Sequence, residues 1–295
     1  MVETLAPAKV NLCLRVYGKT DSGLHNLDSI VVFCQFGDKI SISLADHDSF
    51  CVLGRFAPAL TELDNGKNLV IAARDAFRGN GGVCGAVAIR LDKEIPVGAG
   101  LGGGSADGAA ALRALVHHWH LTPARDDLHR LALSLGADVP ACLASRPCYL
   151  GGMGEELAPA PKLPQVWLVL VNPAITISTS DVFRAQTAPF SMSARLGTGP
   201  KSVLGTAGEL AHALALRRND LTESAMELRP EVQDVLEALT ITDGILLARM
   251  SGSGATCFGL CDNMDTAKAA AKHLRKNHPK WWVQETSTLG AEAQP

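Results

Sequence analysis

Apolar and β-branched residues crowd three stretches near the start of the chain, 8–17, 29–36 and 38–44, separated by GKTDSGLHN and by Gly37-Asp38. Short apolar runs cut by turn residues predict an antiparallel sheet. Helical spacing follows at 67–77 (KNLVIAARDAF), then a strand at 86–91 (AVAIRL), then two helices at 105–119 and 124–135. Gly136 is expected to close the second helix in the left-handed conformation. Beyond a glycine hairpin near Gly151 and Gly152, EELAPAPKLP (155–164) has the proline density of a linker or an edge crossover. The second half reads as a strand at 166–173, a polar stretch of small residues at 187–209, helices at 208–217 and 230–239, and a strand at 245–250. A helix at 265–276, a strand WWVQETS and a tail LGAEAQP without expected order close the chain, and no internal repeat is visible.

A chain of 295 residues exceeds what one core usually supports. Two domains are expected, 1–160 and 161–295. The 27 basic and 30 acidic residues are mixed along the sequence for a net charge of −3, which leaves no basic stripe for nucleic acid and no polybasic anchor for a membrane. A small-molecule partner is expected. The eight cysteines form no CxxC pair and mostly sit singly in apolar surroundings, so they read as reduced core residues of a cytoplasmic protein. MVETLAPAKVNL lacks the features of a signal peptide, and VWLVLV (166–171) is too short to span a bilayer.

Chemistry enters at residues 95–109, IPVGAGLGGGSADGA, where seven of fifteen residues are glycine or serine and an alanine-rich helix pattern begins. Glycines let successive backbone amides converge on an anion, and the first turn of a helix adds unpaired donors and the positive end of its dipole. A polyphosphate is the expected guest. The run also satisfies GxGxxG from Gly98 to Gly103, but Asp92-Lys93-Glu94 and Pro96 separate it from the strand, and the downstream acids Asp126 and Asp127 open a helix. Both features argue against a dinucleotide-binding turn, and GxxxxGK[ST] occurs nowhere. Asp138 lies in the apolar stretch LSLGADVPACLA, where a carboxylate needs a partner, although an aspartate between Gly and Pro is also a common turn or cap residue.

Pro96, Gly100, Leu101, Gly102, Gly103, Gly104, Ser105 and Ala106 resemble the PxxxGLGSSA motif of the kinase superfamily of galactokinase, homoserine kinase, mevalonate kinase and phosphomevalonate kinase (GHMP). APAKVNL (Ala6 to Leu12) and MSGSGATCFGL (Met250 to Leu260) match two further signatures in the right order. LGADVP (Leu135 to Pro140), GLHNLDS (Gly23 to Ser29) and the triple glycine resemble, within that superfamily, the 4-diphosphocytidyl-2-C-methyl-D-erythritol kinase family of non-mevalonate isoprenoid biosynthesis. The resemblance covers essentially the whole chain.

It implies an α+β, two-domain fold: an N-terminal domain like domain 2 of ribosomal protein S5 and a C-terminal ferredoxin-like α/β sandwich, with the site in the cleft between them. It implies transfer of the γ-phosphoryl group of ATP, with Mg2+, to the tertiary 2-hydroxyl of the methylerythritol unit. Asp138 and Lys9 match the family's catalytic pair, the lysine helping to orient the hydroxyl whose proton Asp138 accepts; a purely positioning Asp138 is the alternative. ATP is expected on Pro96, Gly98 and Gly100 to Ala106, with Asn68 and Lys93 near the adenosine. Ser105 is the candidate for the magnesium shell and, alternatively, only a helix cap; no other protein side chain is expected on the metal. Asn11, His25, Thr179, Phe183, Gly252 and Ser253 are the expected substrate contacts.

His25 would read the cytosine ring, with Leu24 where relatives commonly carry an aromatic. Phe183 would form the second wall or serve as core, with Ser180 near it, and Asp28 would touch the sugar or cap a strand. Gly252 and Ser253 could equally form a simple turn. His117, His118 and His120 read as surface residues, and Trp281-Trp282 as core. Kinases of other small alcohols, of the homoserine or mevalonate type, and a non-catalytic nucleotide-binding regulator are the alternatives. The protein is expected to act as a monomer or weak homodimer.

Overall fold

The computed structural model describes residues 1–19, 25–61, 68–79, 85–187, 190–191 and 204–290. Leu24, most of the 187–209 stretch and the last five residues lie outside them. β1 (Val2–Lys19) and β2 (His25–Leu44) pair antiparallel over almost their whole length, from Val2 opposite Ile42 to Lys19 opposite His25. β4 (Val87–Asp92) lies beside Lys39–Leu44 of β2, and β5 (Cys148–Gly151) beside Ser29–Val31. β3 (Ser49–Leu53) adds in parallel to β4, and β6 (Glu156–Pro159) adds antiparallel to β5.

The segments 29–36 and 38–44 are therefore one strand. Gly37 interrupts nothing: a Cβ there would lie 2.1 Å from the Ala6 carbonyl oxygen, so the glycine permits close strand approach, with a register shift between Pro7 and Lys9 opposite. α3 (Gly103–His118) lies on this sheet with Ala106, Ala109, Ala110, Ala111 and Ala114 fully buried, small side chains that let helix and sheet pack closely. Around it are α2 (Leu69–Gly79), α4 (Arg125–Leu135) and α5 (Val139–Ala144), while α1 (Ala57–Thr61) lies beside β3. Gly136 does end α4, but at φ 157° and ψ 155°, an extended conformation rather than the expected left-handed one.

The second sheet has the order β10-β7-β9-β8, from β7 (Trp167–Asn172), β8 (Leu247–Met250), β9 (Cys257–Cys261) and β10 (Trp282–Ser287), all antiparallel. That is the strand order of a ferredoxin-like sandwich. Both faces are buried, which explains the unbroken apolar run of β7. Val169 and Val171 meet α9 (Glu231–Thr240) and α10 (Met264–Asn277), while Leu168 and Leu170 face the first sheet. Val10, Leu12, Ile30 and Val32 share that inner core with Phe258, Leu260 and Trp282. α6 (Thr179–Ala185), α7 (Ala207–Ala215) and α8 (Thr222–Leu228) complete the described elements.

Six of the seven described cysteines are buried, but Cys51 is exposed, against the expectation of core cysteines. His118 is half-buried rather than a surface residue, with Nε2 enclosed. Among the described residues no helix is long and apolar enough to cross a membrane.

Candidate active site

A cavity of about 490 Å³ opens between the two sheets. Its floor on one side is the glycine loop between β4 and α3. Gly98, Gly100 and Gly102 adopt φ values of 66°, 74° and 62°, and Gly102 serves as the N-cap of α3. The first intrahelical bond runs from the Ala106 amide to the Gly102 carbonyl (2.8 Å), so the amides of Gly103, Gly104 and Ser105 have no acceptor within the helix. All three residues line the cavity. Ser105 is thus the third helical residue and not the cap, which frees its hydroxyl from that role. Pro96, Leu101 and Ala106 are buried beneath the loop and do not line the cavity; Leu101 holds the loop to β1 by accepting from the Lys9 amide (2.9 Å).

The turn Ser251–Gly254 braces the loop from the other sheet. The Ser251 hydroxyl donates to the Gly100 carbonyl (3.0 Å) and accepts from the Asn11 amide (3.1 Å), and the Thr256 amide donates to Ala99 (3.2 Å). A Cβ at Gly100 would lie 2.4 Å from the Ser251 carbonyl oxygen, so only glycine fits. Gly252 and Ser253 line the cavity, and Ser253 shares a 2.8 Å hydrogen bond with Thr179. Asn219, unnoticed in the sequence, carries this turn by donating to the carbonyls of Met250 (2.9 Å) and Gly252 (2.7 Å). No motif marks it.

Against the loop, where a Cβ on Gly102 would lie 3.2 Å from Lys9 Cε, Lys9 Nζ lies 2.6 Å from Asp138 Oδ2. Asp138 occupies the N-cap position of α5 yet makes no capping bond, so its carboxylate is committed to Lys9 and the cavity. The Lys9 side chain is 6% exposed and that of Asp138 36%, an anchored cation beneath an accessible acid. Asn11 donates to Ser29 (2.8 Å), which donates to the Cys13 carbonyl (2.6 Å). Met153 and Gly154, from the turn between β5 and β6, form the wall beside the acid, where a Cβ on Gly154 would lie 3.4 Å from Asp138 Oδ1.

Farther along, Phe183 lines the cavity while His25 does not; His25 stacks on Phe183 from behind the lining at 5.0 Å with 30° between the rings. Burial first, and the nearby Lys19 charge second, lower the pKa of His25 from the usual histidine value. Phe183 also packs on the core of the second sheet, so it joins cavity and core. Leu14, Leu27 and Leu221 complete this apolar end, and none of them stood out in the sequence. Asp28 is buried opposite Arg15. Its backbone position neighbours the cavity-lining Leu27 and Ser29.

Two expected ATP contacts take different places. Asn68 accepts from the Val70 amide (2.9 Å), capping the start of α2, and its neighbour Leu69 lines the cavity instead. The Lys93 side chain is 3% exposed and its Nζ sits between Asp38 (2.5 Å) and Asp107 (2.6 Å), so the side chain is occupied beneath the loop.

Sequence profiles described as "GHMP kinases N terminal domain" and "GHMP kinases C terminal" match residues 68–146 and 201–280. The chain is 49% identical to a 4-diphosphocytidyl-2-C-methyl-D-erythritol kinase of Paramagnetospirillum magneticum, over 96% of this chain and 97% of that one. It is 44% identical to the protein of the same name from Rhizobium meliloti, over 97% and 94%. A crystal structure of 4-(cytidine 5'-diphospho)-2C-methyl-D-erythritol kinase superposes with a TM-score of 0.78 at 34% identity, covering 98% of this chain and all of that one (100%). A homoserine kinase from Cytophaga hutchinsonii shares the fold, with a TM-score of 0.73 at 16% identity over 98% and 94% of the two chains.

Proposed function

The chain belongs to the GHMP kinases and, within them, to the 4-diphosphocytidyl-2-C-methyl-D-erythritol kinase family, and from that premise we propose that it transfers the γ-phosphoryl group of ATP to the 2-hydroxyl of 4-diphosphocytidyl-2-C-methyl-D-erythritol. The observation that carries the reading is the 2.6 Å pair of Lys9 and Asp138 in the same cavity as three amides without helical acceptors. Phosphoryl transfer requires an alcohol held in line with the γ-phosphorus and donors for the charge that spreads over its oxygens. The amides of Gly103 to Ser105 receive the phosphates. Asp138, held by Lys9, orients the hydroxyl and takes its proton as the new P–O bond forms and ADP departs. Asn11 and Ser29 line the path of the acceptor, and His25 with Phe183 receives the cytosine, the histidine through its neutral edge.

Among the described residues no group of three or more His, Cys, Asp or Glu side chains is arranged to hold a metal ion. Magnesium fits as an ion carried by the phosphates, with the Ser105 hydroxyl as the protein ligand; when bound, it offsets their negative charge. The partner is the small cytidyl substrate rather than nucleic acid or membrane, the compartment is the cytoplasm, and the protein acts as a monomer or weak homodimer.

The test is ADP release with ATP, magnesium and one alcohol at a time. The cytidyl alcohol should drive turnover, while homoserine and mevalonate leave it at background. Turnover with either of those alone would reassign the substrate, and no alcohol-dependent release would remove the kinase reading.

A further inference from the structure

We propose that Lys93, Asp38 and Asp107 form a clamp beneath the glycine loop that fixes the amides of Gly103 to Ser105 for the phosphoryl donor, making the three of them positioning residues. The inference rests on the reading of that loop as the cradle for the ATP phosphates. The three side chains are 3%, 0% and 5% exposed, and none of them lines the cavity. Burying charge is costly unless it is paired, so the cluster constrains the local geometry strongly.

Asp38 Oδ1 accepts from the amides of Glu94 (2.6 Å) and Ile95 (2.8 Å), and its Oδ2 accepts from Lys93 Nζ (2.5 Å). The chain leaving β4 is thereby tied to β2. The same Nζ donates to Asp107 Oδ2 (2.6 Å) in α3. One ammonium therefore joins the backbone ahead of the loop to the helix behind it. It sits directly under the helix start, because a Cβ on Gly103 would lie 3.1 Å from Lys93 Nζ. The loop between these anchors has three glycines at positive φ and little stiffness of its own, so a brace below it is what holds its donors in one arrangement.

The experiment compares Lys93→Met/Asp107→Leu with the wild-type enzyme. Asp38 loses its ammonium partner in this variant but keeps its two backbone donors, so the fold should persist at reduced stability. The KM for ATP should rise about tenfold and the KM for the cytidyl alcohol should stay within about twofold, even though the thermal midpoint falls. Asp107→Asn, whose amide oxygen can still accept from Lys93, should restore most of the ATP affinity. An unchanged ATP KM in the double variant, or an equal rise in both KM values, would overturn the clamp. Should the double variant fail to fold, Asp107→Leu against Asp107→Asn carries the same comparison with the same two outcomes.

Gly104→Asp separates the clamp from the reading beneath it. Gly104 is exposed with nothing within 4 Å of its Cβ position, and an acid there favours the helix dipole while repelling phosphate. If this variant binds ATP as tightly as the wild type, the loop is not the donor cradle. If it loses ATP while the double variant keeps it, only the clamp fails.

Discussion

A histidine that reads a base through its neutral edge must resist protonation, and His25 is placed to do so by burial and by the Lys19 charge. The KM for the cytidyl substrate should therefore stay flat at neutral pH and above, and rise only as pH falls below about 6.5, the ordinary histidine value. Because the folded pKa is lowered, the unfolded chain takes up the proton first, and the protein loses stability as pH falls through that range. His25→Ala should raise the KM for the cytidyl substrate at least about tenfold while that for ATP changes little; an equal rise in both would point to a folding defect. Lys9 and Asp138 were legible from their motifs even though they lie far apart in the chain. Lys93 was misplaced because its surroundings come from Asp38 and Asp107, on a different strand and on a helix, and no local pattern records that encirclement. The same holds for Leu14, Leu27 and Leu221, ordinary apolar residues that become cavity wall only through the packing of two sheets.

Among the elements, the glycine loop and α3 were legible because glycine density and alanine periodicity are local signals. The reading of Gly37-Asp38 as a break failed for a physical reason: the glycine serves close approach to Ala6 within one long strand. α5 and α6, of six and seven residues, are too short to show a helical period and are held by tertiary contacts. The loop's glycines differ sharply in tolerance. Gly100→Ala should lower stability by about 1–2 kcal/mol for the left-handed backbone, with about 1–3 kcal/mol more from crowding the Ser251 carbonyl. Gly104→Ala, with open space around its Cβ, should be neutral or stabilising by about 0.5–1 kcal/mol. Denaturant midpoints of the two variants check the contrast, and equal effects would contradict the bracing of one loop by the other.

At the scale of the whole molecule, the proline-rich segment at 155–164 holds β6 of the first sheet before the chain passes to β7, and composition does not reveal that both sheets share a core. Val10, Leu12, Ile30 and Val32 pack with Leu168, Leu170, Phe258 and Trp282, and Arg249 of β8 donates to the Leu12 carbonyl (2.9 Å). Unfolding should accordingly be one cooperative transition, coincident by far-ultraviolet circular dichroism and tryptophan fluorescence; two separated transitions would show independent halves. ATP and a cytidine nucleotide should each raise its midpoint, as the proposed function places both in the native cavity. The account as a whole stands on the acid and the amine that lie beside the donor loop and face the alcohol. Its most direct test is the Asp138→Ala enzyme, assayed for turnover and for ATP affinity in parallel. Turnover should fall by about 10²–10⁴ with ATP affinity within about twofold of the wild type, whereas near-normal turnover would contradict the assignment.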